Sequence, residues 1–339
     1  MQNVEIRAPY LLFVGDEARP TYAKTAQGLV DWRRECCAGQ LRLSNSALDL
    51  GLPDMDIASA CDAGVGSLLI GTALVGGSLP EAWIDSLCAA ARTGIDVVAG
   101  LHAPLASIPS LVDAASAGGA RLIDVRKAPA GLPVGTGRRR PGKRLLTVGT
   151  DCALGKKYTA LALERYMRER GLKVDFRATG QTGIMIAGSG IPIDAVVADF
   201  ISGAAEALSP ANDDDHWDVI EGQGSLFHPG YAAVSHGLLL GSQPDAFVVC
   251  HAAGRTEIEG WPGFALPDIA ELIERTLDLG RLTNPAIRCI GISVNTMNLA
   301  ATQRDAYLAQ VGERHGLPCV DPMLTGTGAL IDELLRVAS

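Results

Sequence analysis

Hydrophobic positions along the chain fall into short unbroken runs, separated by stretches in which apolar residues recur every three or four places. The runs LLFVG (11–15), SLLIG (67–71), DVVAG (96–100) and RLIDV (121–125) have the length of strands. Between them, TYAKTAQGLVDW (21–32), PEAWIDSLCAAARTG (80–94) and PSLVDAASAGG (109–119) read as helices. Pro80 suits a first helical turn and Gly94 a helix end. Short apolar strands alternating with amphipathic helices predict βαβ units and a parallel sheet, so the fold class is α/β.

Residues 126–144, RKAPAGLPVGTGRRRPGKR, interrupt this texture with Pro, Gly and Arg. They read as a solvated interdomain linker. A sharper reading has Arg138, Arg139 or Arg140 reach a bound phosphate, because the next strand leads into a glycine-containing loop. From 145 the alternation resumes: LLTVG is a strand and YTALALERYMRERG a helix closed by Gly171. Further strands lie in KVDFRATG (173–180), DDDHWDVIEGQG (213–224), DAFVVCHA (245–252) and RCIGISVN (288–295), and the chain closes on the helix GALIDELLRVA. The expected organisation is two α/β domains, 1–135 and 136–339, in line with a length prior of ~100–200 residues per domain.

Composition narrows the function classes. A net charge of −9 argues against a nucleic-acid surface. Eight cysteines stand at 36, 37, 61, 88, 152, 250, 289 and 319 with no CxxC pair, which speaks against disulfides and a cysteine-rich metal site. The opening segment MQNVEIRAPYLLFVG has too short an apolar run for a membrane span or a signal. A cytoplasmic protein with reduced thiols, binding neither membrane nor nucleic acid, is expected.

The chemistry gathers at GTDCALGKK (149–157). A strand, a glycine-containing turn and a helix make an anion site, because free backbone N–H groups and the helix dipole converge there. The usual phosphate-binding pattern is G-x-x-x-x-G-K-[ST]. Here the step from Gly149 to Gly155 is one residue longer, and Lys157 replaces the hydroxyl that would hold Mg²⁺. Thr159 lies at a different angle on the helix and is no simple substitute. The expected cradle is Gly149, Thr150, Asp151, Cys152, Ala153, Leu154, Gly155, Lys156 and Lys157, binding phosphates without splitting them. Mg²⁺ recruited by Asp151, Asp199 or Glu221 is compatible with this loop but not required by it.

GTDCALGKK resembles the GTD…GK loop of dethiobiotin synthetase, and EGQGSL (221–226) resembles the Glu-Gly-x-Gly element of the same enzymes. Over most of its length the chain resembles a group of two-domain proteins through GTDCALGKKYTA, RATGQTGIMIAG, VVADFISGAAE, VIEGQGSL, HPGYAAVSHGLLLGS and VNTMNL. That resemblance implies a Rossmann-like parallel-sheet N-terminal domain followed by a P-loop NTPase-like doubly wound α/β domain. The group includes D-glutamate N-acetyltransferases, which implies acetyl transfer from acetyl-CoA to the amino group of D-glutamate, with the loop holding the phosphates of CoA. Asn295, ending the strand ISVN, matches the place where related P-loop enzymes bind adenine. The rival readings are an ATP- and Mg²⁺-dependent kinase or ligase of a small carboxylate and a non-catalytic nucleotide sensor.

Acetylating an amine requires a neutral nitrogen, a positioned thioester and a stabilised oxyanion. Glu221, at the end of a strand, is a candidate base, a Mg²⁺ organiser in a kinase, or a helix cap. His228 and His251 are the other base candidates, each with a structural reading beside it; His236 is weaker. Asp199 suits the substrate ammonium or a cap on ISGAAEAL. Arg177 and Arg255 suit substrate carboxylates, with Thr179, Gln181 and Thr182 in the same pocket. Cys152 offers an acetyl-cysteine route ranked below direct transfer. The N-terminal half has a single histidine, His102, and is expected to shape the cleft or build the interface of a homo-oligomer.

Overall fold

The computed structural model describes residues 2–72 and 79–338. The chain divides into two compact units. One comprises residues 2–127 together with 181–192; the other comprises 128–180 and the chain from 193 onward. Relative to the division expected at 135/136, the units part between Lys127 and Ala128, and Gln181–Pro192 belongs with the first.

The first unit runs β1 (Gln2–Asn3), β2 (Tyr10–Gly15), α1 (Lys24–Arg33), β3 (Cys37–Arg42), α2 (Ile57–Asp62), β4 (Ser67–Ile70), α3 (Glu81–Arg92), β5 (Asp96–Ala99), α4 (Pro109–Gly118) and β6 (Leu122–Asp124). Five strands form a parallel sheet in the order β3-β2-β4-β5-β6. Strands β2, β4 and β5 are buried along their whole length, which is why they are unbroken apolar runs in the sequence. The core joins Leu11, Phe13, Leu68 and Val97 of the sheet to Trp83 and Leu87 of α3. Trp83 meets Phe13 edge to face at 5.2 Å, and its indole N–H donates to Asp16.

The second unit continues with β7 (Lys143–Gly149), α5 (Lys156–Glu169) and β8 (Val174–Arg177). The chain then leaves for the first unit, where it forms α6 (Gln181–Ala187) and β9 (Ser189–Gly190). There β9 pairs antiparallel with β1, the Thr182 hydroxyl lies 2.9 Å from that of Thr25, and Arg33 donates to the Ile186 carbonyl at 2.7 Å. Back in the second unit come α7 (Ile201–Leu208), β10 (Trp217–Ile220), α8 (Ala232–Ser242), β11 (Ala246–Ala252), α9 (Ile269–Gly280), β12 (Arg288–Asn295), α10 (Ala301–His315), β13 (Cys319–Val320) and α11 (Gly328–Ala338).

Its sheet has the order β13-β12-β11-β7-β10-β8, every pair parallel. From β7 the chain first builds β8 and β10 on one side, then crosses to β11, β12 and β13 on the other. The carboxyl end of β7 therefore lies at the reversal, where open α/β sheets bind ligands. Leu145, Val219, Val248 and Ile290 of the sheet pack with Leu163, Met167 and Leu330 from the helices. No helix among the described residues is long and apolar enough to cross a membrane.

The arginines of the 126–144 segment serve the opposite end of this sheet. Arg139 donates to Asp245, and Arg140 donates to the carbonyls of Ser209 and Gly241. Both precede β7, whose seven residues put about 20 Å between them and the loop. The phosphate contact expected of Arg139 or Arg140 is therefore corrected: they are hydrogen-bonded where the strands begin. Arg138 is exposed in the same segment.

Candidate active site

The loop after β7 holds its shape through two left-handed residues, Ala153 (φ 53) and Gly155 (φ 104), the second capping α5. The first N–H groups of a helix have no acceptor within the helix itself, which makes the start of α5 the place where such a loop meets an anion. Lys156, the first residue of α5, is buried, and its ammonium donates to the Asp151 carbonyl at 2.7 Å. It thus lies inside the loop that it closes. Burial pushes its pKa down, opposed by Cys152, Cys250 and Asp151. Thr159 is bound into the core by Ser293 (2.8 Å) and the Cys250 thiol, away from the loop mouth.

Asp151 ties the loop to the segment after β11. Its buried carboxylate accepts from Cys152 N–H at 2.6 Å, Glu259 N–H at 2.9 Å and Arg255 Nη1 at 2.8 Å. Arg255 also donates to the Cys152 carbonyl and pairs through Nη2 with Glu259 at 2.8 Å. His251 Nδ1 lies 3.1 Å from the Thr150 hydroxyl. Burial, then Arg255, lowers the pKa of that imidazole. Asn295 joins the ends of β11 and β12, its carbonyl accepting from Ala253 N–H and its side chain from Met297 N–H.

Glu221 follows β10 and is buried. One carboxylate oxygen, Oε2, accepts from the backbone N–H groups of Thr179 (2.9 Å) and Gly180 (3.0 Å), and the Thr179 hydroxyl returns a bond to the Glu221 carbonyl. Burial raises the carboxyl pKa; the two amides and Lys157 act against that rise. Gln223 donates to the Thr179 hydroxyl, and Ser225 donates to the Thr150 carbonyl. A small cavity of about 20 Å³ lies here between Gly149, Gly222, Gly224, Ser225 and Ser235, backed by leucines of α8.

His228 is buried on the same side of the loop. Its ring centroid lies 4.5 Å from that of Tyr231 and 4.4 Å from that of Trp261. Nδ1 accepts from Gly230 N–H at 3.1 Å, and Nε2 lies 4.0 Å from an Asp151 carboxylate oxygen. Burial lowers the pKa of the ring.

The second unit thus brings together the loop 149–157, Thr179, Glu221, His228, His251, Arg255 and Asn295. Arg177 is a correction. Its guanidinium is buried against Asp218 (2.8 Å) and Asp175 (3.0 Å), so a carboxylate of the protein takes the place expected for one of the substrate. Gln181 and Thr182 begin α6 and pack within the first unit. Asp199 is exposed and makes no capping bond to α7. His236 is half-buried in α8 and His102 is exposed. Sequence reasoning passed over Gln223, Ser225, Glu259 and Trp261. The first two stood inside the EGQGSL element and were readable there.

Residues 133–331 match the family described as "Domain of unknown function (DUF1611_C) P-loop domain", and residues 37–128 match "Domain of unknown function (DUF1611_N) Rossmann-like domain". A D-glutamate N-acetyltransferase from a Pseudoalteromonas species is 45% identical over 331 residues, covering 98% of this chain and 100% of that protein. A D-glutamate N-acetyltransferase from Tritonibacter scottomollicae is 47% identical over 332 residues, with 98% and 100% covered. The crystal structure of a DUF1611 family protein from Anabaena variabilis aligns with a TM-score of 0.88 at 32% identity, covering 97% of this chain and 100% of that one. Matched in both halves and along its whole length, the chain belongs to the DUF1611 family, with a Rossmann-like domain followed by a P-loop domain.

Proposed function

We propose that the protein is a D-glutamate N-acetyltransferase, taking its acetyl group from acetyl-CoA and using its P-loop to hold the carrier's phosphates intact. The observation that carries this reading is the pair of D-glutamate N-acetyltransferases at 45% and 47% identity, each covered from end to end. Loop chemistry supports the intact phosphates. The position after Lys156 is a lysine, and the nearby Thr159 hydroxyl is spent on Ser293. Neither supplies the Mg²⁺ ligand that phosphoryl transfer uses at this point of the helix.

In this reading, the α5 N-terminus with Lys156 and Lys157 binds the phosphates of CoA, and Asn295 faces its adenine. Glu221 takes a proton from the substrate ammonium. Burial makes its carboxylate more basic than usual, while Thr179 and Gly180 keep it oriented. Arg255 is the arginine bonded to the loop; the half-exposed Glu259 holds its Nη2, and a substrate carboxylate would replace that bond. Burial raises the Cys152 thiol pKa, with Lys156 acting in the opposite direction, which supports direct transfer over an acetyl-cysteine intermediate.

The reading is tested by thiol release from acetyl-CoA with D- and L-glutamate, beside calorimetry with acetyl-CoA and with ATP plus Mg²⁺. Thiol release with D-glutamate and binding of acetyl-CoA are expected, and Lys156→Ala or Lys157→Ala should weaken that binding. Magnesium-dependent ATP turnover, or variants that bind the carrier as tightly as the unaltered protein, would overturn it.

A further inference from the structure

The diphosphate of coenzyme A joins an adenosine to a pantetheine arm, and the two leave it in different directions. In the proposed reading the adenosine runs to Asn295, at the end of β12. In the sheet, β12 lies beyond β11 on one side of β7, whereas β10 is the neighbour of β7 on the other. An arm that leads away from the adenosine therefore crosses the β10 side of the loop.

Three packed rings stand on that side. His228 and Tyr231 follow β10, and Trp261 comes from the segment after β11; Trp261 and Tyr231 are 5.9 Å apart, and His228 is buried against both. The Trp261 segment folds back on itself through Ile258 N–H to the Phe264 carbonyl and Leu266 N–H to the Thr256 carbonyl, each 2.9 Å. It is tied to the phosphate loop two residues before the indole, where Glu259 N–H donates to Asp151. His228 Nδ1 is held by Gly230 N–H, and its Nε2 lies 4.0 Å from Asp151. At the other flank Tyr231 packs on Gly224, where an added β-carbon would stand 3.2 Å from the Tyr231 β-carbon and 2.9 Å from the Tyr231 carbonyl oxygen. The cluster thus starts at the loop and extends to the turn after Glu221.

Tyr231 remains 47% exposed although it packs on two rings, and Trp261 is half-buried. Neither the Tyr231 hydroxyl nor the Trp261 indole N–H is hydrogen-bonded among the described residues. The two ring planes stand at 73° to each other. A nucleobase offers a flat face for stacking and is best held between parallel walls. Walls at 73° make a corner instead, which suits a branched, tetrahedral carbon, and the polar tips of the rings suit an amide beside it. We infer that Tyr231 and Trp261, braced by His228, bind the part of the carrier's arm next to the diphosphate, with its dimethyl-bearing carbon in the corner and its first amide at the free hydroxyl and indole N–H. The thioester lies farther along the arm, beyond this corner, and no bond is made or broken here. The inference rests on the proposed use of acetyl-CoA and deepens it.

The test compares coenzyme A with 3′-phospho-ADP, the same nucleotide without its arm, by titration calorimetry on the full-length protein. Tyr231→Ala and Trp261→Ala should each weaken coenzyme A about 10-fold and leave 3′-phospho-ADP within about 3-fold of its affinity for the unaltered protein. Trp261→Phe restores a ring and should recover at least about 2-fold of the loss. Equal weakening of both ligands would overturn the inference, because the rings would then hold the base or merely prop the loop; an unchanged affinity for coenzyme A would overturn it too. Should the variants fail to fold, unaltered protein labelled with ¹⁵N-tryptophan decides: the Trp261 indole signal should move with coenzyme A and stay in place with 3′-phospho-ADP, and any other pattern sinks the corner. If the unaltered protein binds neither ligand, the acetyl-CoA reading itself falls, whereas binding of both without discrimination by the variants removes the corner alone.

Discussion

A β-carbon placed on Gly222 would stand 1.7 Å from the carbonyl oxygen of Thr147, while the Gly222 N–H donates to the Thr147 hydroxyl at 2.9 Å. The end of β10 is thereby drawn against β7, and Glu221 is set beside the loop. Gly222 lies outside the left-handed region, so bulk alone enforces glycine there. Gly222→Ala should cost about 3 kcal/mol or more through overpacking, lowering the melting temperature by roughly 2–4 °C per kcal/mol. A variant that melts within a degree of the parent in calorimetry would refute this close approach.

Arg177 is expected to matter for stability rather than for substrate. Arg177→Ala leaves the Asp218 carboxylate, 1% exposed, without its cation, a loss on the order of 3–5 kcal/mol. In the fraction that stays folded, KM for D-glutamate should move by less than ~3-fold. A large rise in KM with an unchanged melt would return Arg177 to the substrate pocket.

Glu221 predicts a trade between stability and activity. Its folded pKa is raised by burial above the ordinary 4.5. The folded state therefore holds this proton more tightly than the unfolded chain does, a contribution complete below 4.5 and lost as pH climbs through the raised value. Glu221→Gln stays neutral throughout. It should melt above the parent at about pH 8, converge with it in mild acid, and lose about 10²- to 10⁴-fold in kcat. Equal melting at both ends of that range would contradict a strained carboxylate.

Asp151 anchors the loop through three bonds to its carboxylate. Asp151→Ala should cost about 1–3 kcal/mol and weaken carrier binding in titration calorimetry. Glu259→Ala breaks only the partly solvated pair with Arg255 and should stay within about 1 kcal/mol of the parent. If the two variants behave alike, the loop does not depend on its aspartate.

Much of this architecture could be read from the letters. Buried parallel strands are apolar runs whatever surrounds them, and the phosphate loop is a local device of glycines and a lysine. The edge strand β3 escaped because only two of its six residues, CAGQLR, are buried. Arg177 misled for a related reason. Asp175 and Arg177 share a face of β8, and Asp218 is the register partner of Asp175, but that carboxylate comes from a strand forty-one residues further on. Which arginine is already satisfied is a property of strand pairing, invisible in one segment. Gln181 and Thr182 looked like pocket residues because they follow Thr179 in a glycine-rich run. Nothing local announces that the backbone there departs for the other unit.

That departure has a consequence for biosynthesis. A ribosome delivers the five strands of the first sheet before residue 127, yet the strand that covers β1 and the helix that seats Thr182 on Thr25 come only with residues 181–192. The nascent N-terminal half must wait, incomplete, while the whole of β7 and α5 is translated. A gene cut at the apparent linker would encode a first unit missing its own last piece, residues 181–192.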